Sequence, residues 1–126
     1  MWKPRVITVC IVYLLFACSA STQASVTISD IAVTESGVEQ NGEFCSDFRL
    51  TNAQAKSFFK RATKITPVEL HDKFDYLPCY VRGRGRLDGV DAEWEIRAGG
   101  TGRLVTTSGQ VSWYGCTKCD DLFRGK

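Results

Sequence analysis

Between Arg5 and Asp30 the chain has no charged side chain at all, yet it also lacks an apolar run long enough to cross a bilayer. The uncharged stretch from Val6 to Ala17 is about a dozen residues, whereas a spanning helix needs about 20. A transmembrane anchor is therefore excluded there, and a cleaved targeting signal fits. Metal ligands are also sparse: the chain has one histidine, His71, and only Cys116 and Cys119 among its cysteines have the close spacing of a zinc ligand pair. A structural zinc site needs two such pairs, so no metal and no other cofactor is expected.

The signal itself is complete in outline. Lys3 and Arg5 form a basic start, the apolar run follows, and the small residues Cys18 to Ala24 suit a signal peptidase. Cleavage after Ala24 predicts a signal at residues 1–24 and one small disulfide-containing domain at 25–126. The alternative is a lipoprotein signal at residues 1–17 with lipidation of Cys18, because Leu15-Phe16-Ala17-Cys18 resembles a lipobox in which Phe16 is an awkward residue. The expected address is periplasmic or secreted, or the outer membrane if Cys18 is lipidated.

Losing Lys3 and Arg5 lowers the basic count from 16 to 14, against 14 acidic residues. A neutral domain gives no electrostatic reason to bind nucleic acid, and membrane contact is expected only through Cys18. The charge is unevenly placed: residues 25–48 carry acidic side chains and no basic ones, whereas 49–86 are mainly basic. A polarised surface suits a macromolecular partner, and another protein is the expected one.

Cys45, Cys79, Cys116 and Cys119 are the cysteines of the mature domain. An even set in an exported chain reads as disulfides. Three pairings are open to four thiols, and the strand order described next favours Cys45 with Cys79 and Cys116 with Cys119.

The hydrophobic pattern predicts an α+β domain: an antiparallel four-stranded meander packed against one amphipathic helix, with an additional N-terminal strand. Ser25 to Thr34 is β-branched and reads as that strand, interrupted near Ser29-Asp30, with a polar loop from Glu35 to Gly42. Thr51 and Gln54 form a capping-box pattern, and Ala55, Phe58, Phe59, Ala62 and Ile65 recur at helical spacing up to a stop at Pro67. Opposite that stripe Lys56, Lys60 and Lys64 fall four apart, a basic ridge and a candidate partner-binding face.

The meander begins with two alternating runs around Asp88-Gly89, a hairpin signal. That register sets Arg86 opposite Asp91, Arg84 opposite Glu93 and Arg82 opposite Glu95, so the RGRGR string is neutralised within the sheet rather than offered to RNA or heparin. On the other face Gly83 meets Trp94 and Gly85 meets Ala92. Strands from Arg103 and from Val111 complete the meander. A strand rather than a helix follows Gly99-Gly100-Thr101-Gly102, so this is a connecting loop and not a phosphate cradle.

No catalytic residue is nominated. His71 falls after the proline stop, on a short helix where it and Asp75 have i, i+4 spacing, but no nucleophile is assigned to them. Trp113-Tyr-Gly-Cys116-Thr-Lys-Cys119 resembles the thioredoxin active site, with a strand leading into a Cys-x-x-Cys, but only Asp120 to Lys126 follow. Redox use of Cys116 and Cys119 therefore stands as the alternative function. Taken together, Phe44-Cys45, Phe58-Phe59, Pro78-Cys79, Trp94 to Gly102 and Gly115-Cys116-x-x-Cys119 resemble small exported bacterial proteins, which implies an envelope or periplasmic address and no functional residue. The favoured expectation is a non-enzymatic interaction module, such as an enzyme inhibitor or an immunity protein.

Overall fold

Residues 27–124 are described in the computed structural model; the expected signal, its cleavage point and Cys18 lie outside them. The β-branched start forms β1 (Ile28–Val38). The expected interruption is present: Asp30 has φ 52°, and the pairing register shifts between Ser29 and Ala32. The strand nonetheless continues through the segment read as a polar loop, with Ser36 opposite Val81 and Val38 opposite Cys79. Its polar residues find partners on the sheet, since Arg82 donates to Glu35 at 3.0 Å.

Helix α1 (Asn52–Arg61) starts with a complete capping box. The Gln54 amide donates to Thr51 Oγ1 at 3.1 Å, and the Thr51 amide donates to Gln54 Oε1 at 2.9 Å. Two of the helix's orphan N-terminal donors are thereby satisfied. Ala55, Phe58 and Phe59 are its buried residues.

The helix does not reach Ile65 as its periodicity predicts. Ala62 is extended, and β2 (Thr63–Ile65) pairs antiparallel with the last strand of the sheet. Thr63 and Ile65 are β-branched and suit a pleated strand, and a free sheet edge supplies their ladder. Pro67 is not the stop of the first helix, which ends at Arg61 with a strand in between; it opens a second helix instead. Thr66 and Glu69 form another capping box, with Pro67 in the first turn of α2 (Pro67–Lys73).

The meander follows as β3 (Cys79–Leu87), β4 (Val90–Arg97), β5 (Thr101–Thr106) and β6 (Val111–Gly115), and the chain ends in the short α3 (Asp120–Phe123). The α+β class is as expected, but the four strands of the meander are part of a larger antiparallel sheet of six, flanked by the N-terminal β1 and by the unexpected β2 in the order β1-β3-β4-β5-β6-β2. Three short α-helices occur among the described residues: beside the expected amphipathic helix, α2 is the short helix expected around His71 and α3 is the addition.

One face of the sheet and α1 enclose the core. Val81, Trp94, Ile96 and Leu104 meet Phe58 and Phe59 there, all buried. Phe59 packs edge-on against Trp94 and Tyr114 with centroids at 5.7 and 5.6 Å, a geometry that aromatic quadrupoles favour. The Trp94 indole donates to the Arg84 carbonyl at 2.9 Å, so its polar atom is not buried unpaired. At the far end of α1, Phe123 meets Phe48 edge-on and Phe58 at a tilt, and Arg61 binds Asp121 at 2.7 Å.

Candidate functional site

Because side chains alternate along a strand, burying Val81, Trp94 and Leu104 sends Arg82, Arg84, Glu95, Arg97, Arg103 and Trp113 to the opposite face. Helix α2 and the residues after it lie over part of that face. The Phe74 ring rests on Gly115, where a Cβ would collide with it. Only glycine allows so close an approach. Between α2 and strands β4 to β6 this leaves a cleft of about 640 Å³, lined by Leu70, His71, Phe74, Asp75, Arg97, Arg103 and Trp113 among others. That volume lies within the range of ligand pockets, ~300–1,000 Å³.

The polar side of the cleft is a connected network. Glu95 accepts from Arg82 Nε at 2.7 Å through one oxygen and from Arg97 Nε at 2.8 Å through the other. Arg97 also donates to Glu39 at 2.8 Å, and the Tyr76 hydroxyl donates to the same carboxylate at 2.7 Å. The guanidinium of Arg97 lies 4.6 Å from the Tyr76 ring centroid, and that of Arg82 lies 4.0 Å from the Tyr80 ring centroid, so rings and cations alternate along the face.

Arg97, followed by Tyr76, holds the Glu39 carboxyl below its ordinary value. The hydrogen bond to Glu39 pushes the Tyr76 phenol up. For Arg97 burial works against the charge, but Glu39 and Glu95 outweigh it and the pKa is raised. Arg82 is raised as well, by Glu95 first. Glu39, Arg82 and Arg97 are thus held charged near neutrality and Tyr76 is held protonated and neutral, so they build a rigid wall rather than supply an acid or a base.

Arg103 differs from them. It sits opposite Glu95 on β4 and opposite Trp113 on β6. Each Glu95 oxygen accepts from another arginine, and among the described residues no carboxylate lies within ion-pair distance of Arg103. Its guanidinium lies 5.6 Å from the Trp113 ring centroid, exposed at the cleft.

The residues singled out in the sequence fall in several places. Cys45 joins Cys79 and Cys116 joins Cys119, each with a Cα separation of 5.7 Å. The bonds fit an oxidising, non-cytoplasmic compartment. Among the described residues no helix is long and apolar enough to cross a membrane. Cys119 is fully buried and Cys116 is 6% exposed, so an attacking thiolate has little access to either sulfur. It is Cys119, not Cys116, that caps the four-residue α3, unlike the thioredoxin arrangement.

The basic ridge is divided: Lys56 and Lys60 lie exposed on α1, but Lys64 lies on β2 because the helix ends before it. His71 binds its neighbour Asp72 at 3.0 Å rather than Asp75, and its side chain is 88% exposed. Among the described residues no three His, Cys, Asp or Glu side chains converge to hold a metal ion. Sequence reasoning missed the cleft residues Phe74, Tyr76, Arg97 and Arg103. The Thr66-Pro67-x-Glu69 pattern was a signal for α2, the element that makes the cleft.

Neither a known protein family, nor a curated protein, nor a solved structure matches the chain.

Proposed function

We propose that the mature domain is a non-enzymatic protein-interaction module of the inhibitor or immunity-protein kind, acting in the periplasm or outside the cell. The observation that carries this reading is the composition of the cleft. It combines the half-buried Leu70, Phe74 and Trp113 and the exposed Tyr76 with the guanidinium groups of Arg97 and Arg103, and aromatic and arginine side chains are the residue types that anchor protein interfaces. Its titratable wall is fixed in charge and serves recognition better than proton transfer. Burial of the Cys116–Cys119 bond supports a structural clamp over the thiol-disulfide alternative.

The test is to immobilise the mature protein, capture partners from envelope extracts and from neighbouring cells, and assay each captured enzyme with and without the module. A saturable, stoichiometric complex in which the enzyme loses activity is the expected result. The reading fails if no protein binds saturably, and rapid exchange of the Cys116–Cys119 pair with glutathione at a potential well above about −300 mV would then put the thiol-disulfide alternative in its place.

A further inference from the structure

We propose that the cleft between α2 and strands β4 to β6 receives an acidic side chain of the partner protein, presented beside an apolar residue. The carboxylate binds Arg103, and the apolar neighbour fills the space between Leu70, Phe74 and Trp113. The inference rests on the interaction-module reading and specifies what that module recognises.

Charge complementarity identifies the occupant. Arg82 and Arg97 each hold two carboxylates, Arg82 with Glu35 and Glu95, Arg97 with Glu39 and Glu95. Arg103 faces the same Glu95 across the strands but makes no ion pair with it, each Glu95 oxygen already accepting from Arg82 or Arg97. Its planar donor fork is therefore unmatched by any carboxylate among the described residues, and it is held at the cleft over the Trp113 ring. Such a fork binds a carboxylate through two parallel hydrogen bonds. Beside it, Leu70, Phe74 and Trp113 give the cleft an apolar lining. A lone carboxylate would leave that lining in water, whereas an acidic residue with an apolar neighbour covers both parts.

Asp75, also on the lining, is a like charge to the incoming acid and opposes it. Removing that charge strengthens binding, an effect a purely apolar docking would not show.

The mature protein labelled with nitrogen-15 is titrated with the blocked peptide acetyl-Gly-Glu-Phe-Gly-amide, with its Gln counterpart, and with free 3-phenylpropionate. The readout is the Trp113 indole N–H resonance. The Glu peptide is expected to shift it saturably and the Gln peptide to bind roughly tenfold or more weaker, the worth of a charged hydrogen bond. Arg103→Gln, an exposed substitution that leaves the core intact, erases the difference between the two peptides, and Asp75→Asn tightens the Glu peptide alone.

Equal binding of the two peptides, or a preference that persists in Arg103→Gln, overturns the inference. So does tighter binding of 3-phenylpropionate than of the Glu peptide, which would make the cleft a small-acid pocket. A partner that binds wild type and Arg103→Gln equally overturns the cleft assignment while leaving the interaction-module reading intact. Absence of any partner, with the peptide results as expected, sinks that reading and not the site.

Discussion

Arg97 on β4 donates to Glu39 beyond the end of β1 at 2.8 Å, joining residues 58 apart in sequence. The same guanidinium donates to the Leu77 carbonyl at 3.3 Å, and Tyr76 beside it donates to Glu39. Three segments are thus tied at the end of the sheet where the Cys45–Cys79 bond also lies. The wall of the cleft is therefore held from several directions at once.

Replacing Arg97 by Gln removes that tie and leaves Glu39 and Glu95 with fewer donors. Its side chain is only 12% exposed, so the cost exceeds that of a surface ion pair and is expected at ~2–3 kcal/mol by urea unfolding. Arg97→Lys keeps the charge but not the fork, and recovers less than half of the loss. A loss within ~0.5 kcal/mol would place the network among ordinary surface pairs and contradict its role.

Acid sensitivity follows from the same carboxylate. Glu39 is held below the ordinary value of 4.5, by Arg97 first and then by Tyr76. Asp121 is held below 3.8 by Arg61. A depressed folded-state pKa means that the unfolded chain takes up protons first as pH falls. The stabilisation is therefore complete above the ordinary carboxylate values and is lost as pH falls through the folded ones. The melting temperature is expected to stay level from neutrality to about pH 5 and to drop below it. Glu39→Gln should melt lower at neutrality and show a shallower acid drop. An equally steep drop in that variant would assign the sensitivity to other groups.

The β3–β4 hairpin was legible because its signals are local and agree. Strict alternation with Asp88-Gly89 between the runs fixes the register, and Arg82 indeed faces Glu95 and Gly83 faces Trp94. The stretch from Thr63 to Ile65 was not legible in the same way. Ile65 fits the helical repeat, yet its β-branched neighbourhood also suits a strand, and the edge of β6, distant in sequence, decides between them. The cleft was less legible still. Phe74, Arg97, Arg103 and Trp113 come from separate elements, and no local pattern records that Phe74 packs onto Gly115.

The hairpin turn gives a direct check of that register. Asp88 and Gly89 have φ of 48° and 80°, as a two-residue turn of this hand requires. Nothing lies near Gly89 to clash with a side chain, so Gly89→Val tests backbone conformation alone and should cost ~1 kcal/mol or more. Arg84 and Glu93 stand opposite one another, both exposed. Arg84→Glu should cost ~0.2–1 kcal/mol, and adding Glu93→Arg should return part of it. Urea unfolding of the four variants measures both effects, and a double mutant no better than the single one contradicts the pairing.

The two disulfides should differ in what they contribute, because they close loops of very different length. Cys45 and Cys79 are 34 residues apart, while Cys116 and Cys119 are separated by 3. In the chain-entropy account the longer loop is worth roughly 3–4 kcal/mol and the shorter about 2. A local effect works in the opposite direction. The short bond directs α3 back so that Leu122 is buried and Phe123 reaches Phe48 and Phe58, and its loss would free that packing. Only a four-residue helix depends on it, whereas the long bond ties β3 to the loop before α1, so the loop term should dominate. Alanine is the better replacement, since Cys79 and Cys119 are fully buried and serine would add an unpaired hydroxyl at either site. Cys45→Ala with Cys79→Ala should therefore melt lower than Cys116→Ala with Cys119→Ala, by about 8–16 °C for a difference of ~2 kcal/mol in a domain of this size. In the second variant hydrogen exchange should quicken at residues 120–124 and stay slow in β3 and β4. A larger loss from the short bond, with faster exchange reaching α1, would mean that α3 packing against Phe48 and Phe58 governs the core.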